Sequence, residues 1–225
     1  MELKQVANYL SAKYLCNNLK ADKKEMLKGQ LLAAYSVGSL GASTTLVEYY
    51  DTKDFLFAEK GINIYTITSN GIKELIIRYD ASQVSRIEFL KNIPNFYKMQ
   101  IGYNDSIYRH TEDITKAIYE VFPTGLNVNI EDELRNSSVQ VKVQKKCDAY
   151  RVVNNNGLKV TISFEDCVYI KNGTRHKFSQ PTLDVVCDSY RLKDKFDVFL
   201  REIVINHPKL IKIENNELTI ARKNI

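Results

Sequence analysis

The 225-residue sequence contains few of the side chains from which metal and thiol sites are usually built. Four cysteines lie far apart and form no CxxC pair: Cys16, Cys147, Cys167 and Cys187. Three histidines occur at no spacing typical of shared metal ligands: His110, His176 and His207. Because a structural zinc site needs clustered cysteine or histidine ligands, these spacings argue against one. We expect free and mostly buried thiols in a reducing compartment.

The sequence also lacks the segments and motifs that mark several large protein classes. No apolar run reaches the roughly 20 residues that a transmembrane helix needs. The N-terminal segment is interrupted by Lys4 and Lys13 and has no apolar signal core, so we expect a cytoplasmic protein. No P-loop, GxGxxG, Ser-His-Asp or Cys-His pattern occurs, which excludes the commonest nucleotide-binding and hydrolase classes. The net charge of +5, without a basic block longer than two residues, fits an anionic ligand but does not identify one.

Two helices are predicted in the first 40 residues of the chain. In residues 3–20, apolar side chains such as Leu10 and Tyr14 recur at helical spacing. A second helix is predicted to follow and to end at Gly38 or Gly41. After Gly41 the apolar pattern changes to a period of two, which is typical of strands.

The remainder of the chain is predicted to form short alternating strands and two helices. The strongest hairpin signals are the Asn-Gly pair at Asn70 and the Asn-Asn-Asn-Gly run that ends at Gly157. Helices are predicted over residues 113–122 and 193–207, each followed by a proline. Two β-rich halves, each followed by a helix and not separated by a linker, predict a single α+β domain over residues 1–225.

Several of the predicted strands combine an apolar face with a charged face. Val160, Ile162 and Phe164 alternate with polar residues in one of them, and valines alternate with lysine and glutamine in residues 139–146. One interpretation is an antiparallel sheet with one face in the core and one in water. The other is a nearly closed barrel of about 8 to 10 strands whose charged faces line a hydrated lumen. Such a lumen would attract polyanions, and its carboxylates would hold Mg²⁺ or Mn²⁺.

One stretch resembles a known family. Residues 47–64, VEYYDTKDFLFAEKGINI, are similar to the segment of the CYTH / triphosphate-tunnel family in which a strand ends in Tyr-(Phe/Tyr)-Asp-Thr. In that family a short turn with a leucine or phenylalanine follows, then a glycine and a further strand. The matching positions are Tyr49, Tyr50, Asp51, Thr52, Phe55, Gly61, Ile62 and Ile64. Weaker similarity in the same order extends over residues 44–213.

The resemblance implies an antiparallel β-tunnel with flanking helices that binds a triphosphate or polyphosphate. Members of the family hold the phosphates with lysine and arginine and use Mg²⁺ or Mn²⁺ held by carboxylates. The implied phosphate-binding residues are Arg78, Arg86, Lys142, Lys146 and Arg151. The implied metal ligands are Glu88, Glu165 and Asp184, of which Glu88 and Glu165 are also the implied catalytic residues.

The sequence departs from the family pattern at several acidic and basic positions. Only Glu2-Leu3-Lys4 corresponds to the N-terminal Glu-x-Glu-x-Lys signature, and the strand after the glycine contains no arginine. Ser163 and Val186 occupy positions where the family has acids. Metal-dependent catalysis needs clustered carboxylates, so the chain is either a divergent enzyme or a tunnel fold that has lost its chemistry.

Three functions therefore remain open from the sequence. The first is a phosphohydrolase that acts on a triphosphate with Mg²⁺ or Mn²⁺. The second is an inactive tunnel module that binds a phosphorylated ligand or a protein partner. The third is a nucleic-acid-binding β protein that stacks bases on strand tyrosines, namely Tyr65, Tyr79, Tyr97, Tyr103 and Tyr150. Asp51 and Thr52 are predicted to have a structural role, fixing the end of their strand through hydrogen bonds to the backbone.

Overall fold

The structure is a computed structural model that describes residues 4–5, 10–16, 21–79, 96–122, 126–171, 177–213 and 218. Within these ranges ten strands are present: β1 (Lys4–Gln5), β2 (Leu10–Leu15), β3 (Ser36–Asp51), β4 (Ile62–Ser69), β5 (Ile72–Tyr79), β6 (Phe96–Ile101), β7 (Ser138–Val153), β8 (Lys159–Lys171), β9 (Lys177–Cys187) and β10 (Ile211–Ile213). The helices of the same ranges are α1 (Ala21–Ala33), α2 (Leu56–Glu59), α3 (Thr111–Val121), α4 (Ile130–Asn136) and α5 (Lys193–Asn206), with short 3-10 turns at Ile107–His110 and Tyr190–Leu192.

The described chain divides into two compact units. The first unit consists of the described residues within 1–7, 45–143 and 170–176. The second unit consists of those within 8–44, 144–169 and 177–225. Strands β3, β7 and β8 each contribute residues to both units. The single domain expected from the sequence stays a prediction.

The strands of the first unit hydrogen bond in the order β1-β6-β5-β4-β3-β7. Antiparallel register places Ile64 opposite Ile77 and Ile77 opposite Tyr97, so that their side chains share one face of the sheet. This face packs against Ile114 and Ile118 of α3 in an apolar core. The result is a sheet with one face covered by a helix and the opposite face left for polar and aromatic side chains.

The hairpin between β4 and β5 turns at Asn70 and Gly71. Both residues have positive φ, 50° and 77°, as a tight two-residue turn requires. Tyr79, at the far end of β5, donates a hydrogen bond from its hydroxyl to the Ala117 carbonyl of α3 at 2.8 Å. Burial raises the pKa of this hydroxyl, so Tyr79 remains a neutral donor that ties the strand to the helix. The predicted Asn-Gly hairpin and the helix predicted over residues 113–122 are both confirmed.

The strands of the second unit hydrogen bond in the order β7-β8-β9-β2-β10. Their apolar face packs against α1 and α5, whose inward side chains include Leu31 and Phe199. Lys28 of α1 also contacts β7, where its Nζ lies 2.9 Å from Asp148 Oδ2 and 5.4 Å from the centre of the Tyr150 ring. Hydrogen bonding to Asp148 raises the pKa of Lys28. Helix α1 is thus held by apolar packing and by an ion pair.

The first N-terminal helix predicted from the sequence is wrong, because β2 is a strand from Leu10 to Leu15. Ala12 and Tyr14 are buried in the core of the second unit, and Lys13 lies between them on the other face. Leu10 and Tyr14 are four residues apart, and this spacing fits both a strand period of two and a helical period of 3.6. The second predicted helix is confirmed as α1, Ala21–Ala33. Its predicted end at Gly38 or Gly41 is wrong, because β3 begins at Ser36 and contains both glycines.

Asp51 and Thr52 have the structural role predicted for them. Asp51 is fully buried, and its carboxylate accepts hydrogen bonds from the backbone N–H groups of Thr52 at 2.7 Å, Phe57 at 3.0 Å and Ala58 at 2.9 Å. The Thr52 hydroxyl accepts from the N–H of Leu56 at 3.0 Å. One of these four N–H groups follows the end of β3, and the other three belong to the first turn of α2. N–H groups in the first turn of a helix have no carbonyl acceptor within the helix. The Tyr-Tyr-Asp-Thr stretch therefore fixes the backbone between β3 and α2.

Candidate functional site

The candidate site lies on the polar face of the sheet in the second unit. On β8, Ile162 and Phe164 enter the apolar core, whereas Ser163, Glu165 and Cys167 alternate with them on the opposite face. The same alternation on β7, β9 and β2 places further polar side chains on that face. One sheet face thus carries charged groups while the other is closed by α1 and α5.

Glu165 is the centre of this face and is only 6% exposed. Its Oε2 atom accepts a hydrogen bond from Lys13 Nζ at 2.8 Å and another from the Thr182 hydroxyl at 2.9 Å. Its Oε1 atom lies 3.7 Å from Lys145 Nζ. The carboxylate thus draws two ammonium groups from different strands to one place, and we name Lys13, Lys145 and Glu165 the lysine–glutamate cluster.

The lysine–glutamate cluster is well shielded from water. The Lys13 and Lys145 side chains are 17% and 13% exposed. Burial of a charge is costly unless a partner compensates it, and here two cations share one carboxylate. The three residues carry a formal charge of +1, which leaves a partly buried positive group on the sheet face.

Asp184 and Cys147 border the cluster. Asp184 on β9 is directly opposite Lys13 on β2 in the antiparallel register. Burial raises the pKa of the Cys147 thiol, and a hydrogen bond with Ser163 opposes this shift in part. The thiol is therefore held in its neutral form, which does not favour a nucleophilic role. Lys13, Lys145, Glu165 and Asp184 are together two basic and two acidic side chains, and Arg151 lies exposed further along β7.

Four of the five predicted phosphate-binding residues lie within the described ranges, Arg78 and Lys142 in the first unit and Lys146 and Arg151 in the second. Lys142 belongs to the first unit and forms an ion pair with Glu48 at 2.8 Å. Arg78, also of the first unit, is opposite Asn63 in the β4–β5 register. Lys146 is exposed and, as the neighbour of Lys145 on β7, points to the other side of the sheet. Arg86 falls outside the described residues.

Of the predicted metal ligands and catalytic residues, Glu165 and Asp184 lie on the polar face of the second unit, while Glu88 falls outside the described residues. Lys13 and Lys145 were not predicted from the sequence. Lys13 was missed because its segment was assigned to a helix. Lys145 was missed because it lies on the same strand face as Val141 and Val143, which are buried. The sequence pattern therefore predicted an apolar face at its position.

Mg²⁺ and Mn²⁺ are held by several oxygen ligands, chiefly carboxylates. Over the ranges that the structure describes, no group of three or more histidine, cysteine, aspartate or glutamate side chains is arranged to hold a metal ion. The Glu165 carboxylate accepts from Lys13 and also has the Lys145 ammonium nearby. The donor set offered by the described residues therefore does not fit a divalent cation, and the Mg²⁺ or Mn²⁺ cofactor stays a prediction.

The strand tyrosines that suggested base stacking are mostly in the core. Tyr65, Tyr79 and Tyr97 are each 8% exposed or less. A buried ring has no face open to a base, which removes these three from a stacking surface. Tyr103 is exposed, and Tyr150 packs against Phe164.

Other predictions from the sequence concern the thiols and the membrane. All four cysteines are free, and Cys16, Cys167 and Cys187 are buried, as expected. Within the described ranges, none of the helices combines the length and the apolar character needed to cross a membrane.

No protein-family model and no curated protein matches the sequence. Solved structures do match it in fold over nearly the whole chain. A candidate adenylate cyclase from Bacillus halodurans superposes with a TM-score of 0.61 and 8% identity, covering 96% of this chain and 98% of the other. A candidate adenylyl cyclase from Hippeastrum with a dominant triphosphatase activity superposes with a TM-score of 0.53 and 11% identity, covering 99% and 96%. A protein from Pyrococcus horikoshii superposes with a TM-score of 0.52 and 11% identity, covering 97% and 100%.

Proposed function

We propose that the chain binds a triphosphate- or polyphosphate-type ligand at the lysine–glutamate cluster. The resemblance of its Tyr-Tyr-Asp-Thr stretch to the CYTH / triphosphate-tunnel family and its similarity in fold to the Bacillus halodurans and Hippeastrum proteins support this proposal. The fold alone does not determine a function, because one fold hosts several activities. The proposal therefore depends on the chemistry of the polar face in the second unit.

The observation that carries the proposal is the convergence of Lys13 and Lys145 on Glu165. Two ammonium groups on separate strands are held by one carboxylate at 2.8 and 3.7 Å. Ammonium groups bind phosphate oxygens through charge-assisted hydrogen bonds, and these strengthen where water is excluded. A buried ion cluster contributes little to stability compared with an apolar core, so a ligand is the better explanation for these charges on this face.

Replacing Lys145 by alanine is expected to weaken the binding of tripolyphosphate by about 10-fold or more, since a hydrogen bond to a charged group contributes roughly 1.5 to 3 kcal/mol. Lys146→Ala removes the same charge from the neighbouring position on the opposite face of β7, and we expect it to change the affinity by no more than about twofold. Isothermal titration calorimetry on both variants and the wild type measures the difference.

Two results would count against the proposal. If Lys146→Ala weakened binding as much as Lys145→Ala, the ligand would be attracted by the overall charge and not by the cluster. If the wild-type protein did not bind tripolyphosphate at all, the proposal would fail outright. A circular dichroism spectrum of each variant excludes unfolding as the cause of a lost signal.

A second candidate function is hydrolysis of the bound triphosphate, the phosphohydrolase activity predicted with Mg²⁺ or Mn²⁺. The similarity in fold to the Hippeastrum protein, which has a dominant triphosphatase activity, favours it. If the chain has this activity, purified protein with either metal releases phosphate from tripolyphosphate and Glu165→Gln releases none. Release that is no higher than in the Glu165→Gln sample would rule out this activity. Binding without release would then support an inactive tunnel module that binds a phosphorylated ligand.

A further inference from the structure

We propose that the lysine–glutamate cluster binds its phosphate ligand as the metal-free anion and not as a complex with a divalent cation. This inference rests on the proposed function, because it specifies which form of a triphosphate- or polyphosphate-type ligand the cluster recognises. It departs from the metal-dependent binding that the sequence implied for Glu165 and Asp184.

The first reason is the geometry around Glu165. A divalent cation of this kind binds a carboxylate oxygen at about 2.0 to 2.6 Å. The Glu165 Oε2 atom is already 2.8 Å from Lys13 Nζ and 2.9 Å from the Thr182 hydroxyl. A cation on that oxygen would lie within roughly 5 Å of the Lys13 ammonium, where two like charges shielded from water repel each other strongly.

A divalent cation at the other carboxylate oxygen would also be repelled by an ammonium group. Oε1 of Glu165 lies 3.7 Å from Lys145 Nζ, and this lysine is 13% exposed. A cation on this side would face the second ammonium group. Each oxygen of the carboxylate therefore already has an ammonium group as its neighbour.

The second reason is that the two lysines supply the charge that a metal would bring. Lys13 and Lys145 together carry the formal charge of one Mg²⁺, and they are fixed on two strands. The role of Glu165 in this arrangement is to position the two ammonium groups. Asp184 is opposite Lys13 in the β2–β9 register.

Titration of the full chain with tripolyphosphate in EDTA and again in excess Mg²⁺ tests the inference. We expect the dissociation constant in EDTA to be equal to or lower than that in Mg²⁺, because the metal neutralises the anion and competes with the ammonium groups. Binding at least about 10-fold tighter in Mg²⁺ would overturn the inference and leave the proposed function standing. Absence of binding in both conditions would overturn the proposed function as well.

The variant Glu165→Gln distinguishes a positioning residue from a metal ligand, because the two roles predict opposite changes in the affinity for tripolyphosphate. Removal of the negative charge raises the charge of the cluster by one, so binding in EDTA is expected to become several-fold tighter. A metal ligand would instead give weaker binding, and only in Mg²⁺. Asp166→Asn, at the exposed neighbouring position on β8, is the matched control and should leave both titrations unchanged. If Glu165→Gln does not fold, the wild-type comparison in EDTA and Mg²⁺ still decides the question.

Discussion

Replacing Asp51 by alanine is expected to lower the free energy of unfolding by about 3 to 5 kcal/mol. The carboxylate is fully buried and accepts from three backbone N–H groups at 2.7, 3.0 and 2.9 Å. Each buried donor left without a partner costs about 1 to 3 kcal/mol, and the bonds to this carboxylate are charge-assisted. Chemical denaturation followed by circular dichroism measures the loss.

The same turn offers a matched control. Asp54 is exposed, and its replacement by alanine should change the free energy of unfolding by no more than about 0.5 kcal/mol. Asp51→Asn keeps the shape but turns one acceptor oxygen into a donor, so its loss should lie between the two. Equal stability of Asp51→Ala and Asp54→Ala would show that the backbone between β3 and α2 is held by other contacts.

Replacing Glu165 by alanine is the second change with a large expected effect. It removes the carboxylate from two shielded ammonium groups that lie 2.8 and 3.7 Å away. Breaking a buried ion cluster on one side costs about 3 to 5 kcal/mol, since the remaining charges are left without compensation. Asp166→Ala, one residue further along β8 and exposed, should cost no more than about 1 kcal/mol, the upper range for an interaction of an exposed charge. Thermal and chemical unfolding of the two variants provide the comparison.

Replacing all three residues of the cluster by apolar residues tests whether the cluster is needed for ligand binding and not for stability. Lys13→Met, Lys145→Met and Glu165→Leu combined remove all three charges and keep most of the side-chain volume. Such replacements of buried ion clusters are often neutral or stabilising by about 1 to 4 kcal/mol. We therefore expect the triple variant to fold at least as stably as the wild type and to lose tripolyphosphate binding. A triple variant that retained binding would place the ligand elsewhere in the molecule.

Much of the fold could be predicted because local chemistry determines it. The Asn70-Gly71 turn, the alternation of Val160, Ile162 and Phe164, and the hydrogen bonds of Asp51 all follow from short stretches of sequence. Each depends on residues that are close together in the chain. The fold comparison bears out the antiparallel α+β fold that the resemblance of the Tyr-Tyr-Asp-Thr stretch implied.

The lysine–glutamate cluster could not be predicted in the same way, because its members are brought together by strand pairing. Lys13 comes from β2, which pairs with β9 near the other end of the chain. Lys145 occupies a position that its own strand fills with valine two and four residues earlier. Nothing within either segment identifies Glu165 as the partner. The sequence alone does not show that Lys145 lies near Glu165 while Lys146 is exposed on the other side of the sheet. This difference becomes visible only when the pairing of β7 with its neighbours is known.

The pairing of β2 has a consequence for the order in which the protein is made on the ribosome. Lys13 and Glu165 are 152 residues apart in the chain, and β2 pairs with β9, which is synthesised later still. At about 5 to 20 residues per second, roughly 8 to 30 seconds pass between the synthesis of the two side chains. During this time the apolar side of β2, with Ala12 and Tyr14, has no sheet to join. The segment that contains β2 therefore depends on staying unaggregated until β9 has been synthesised.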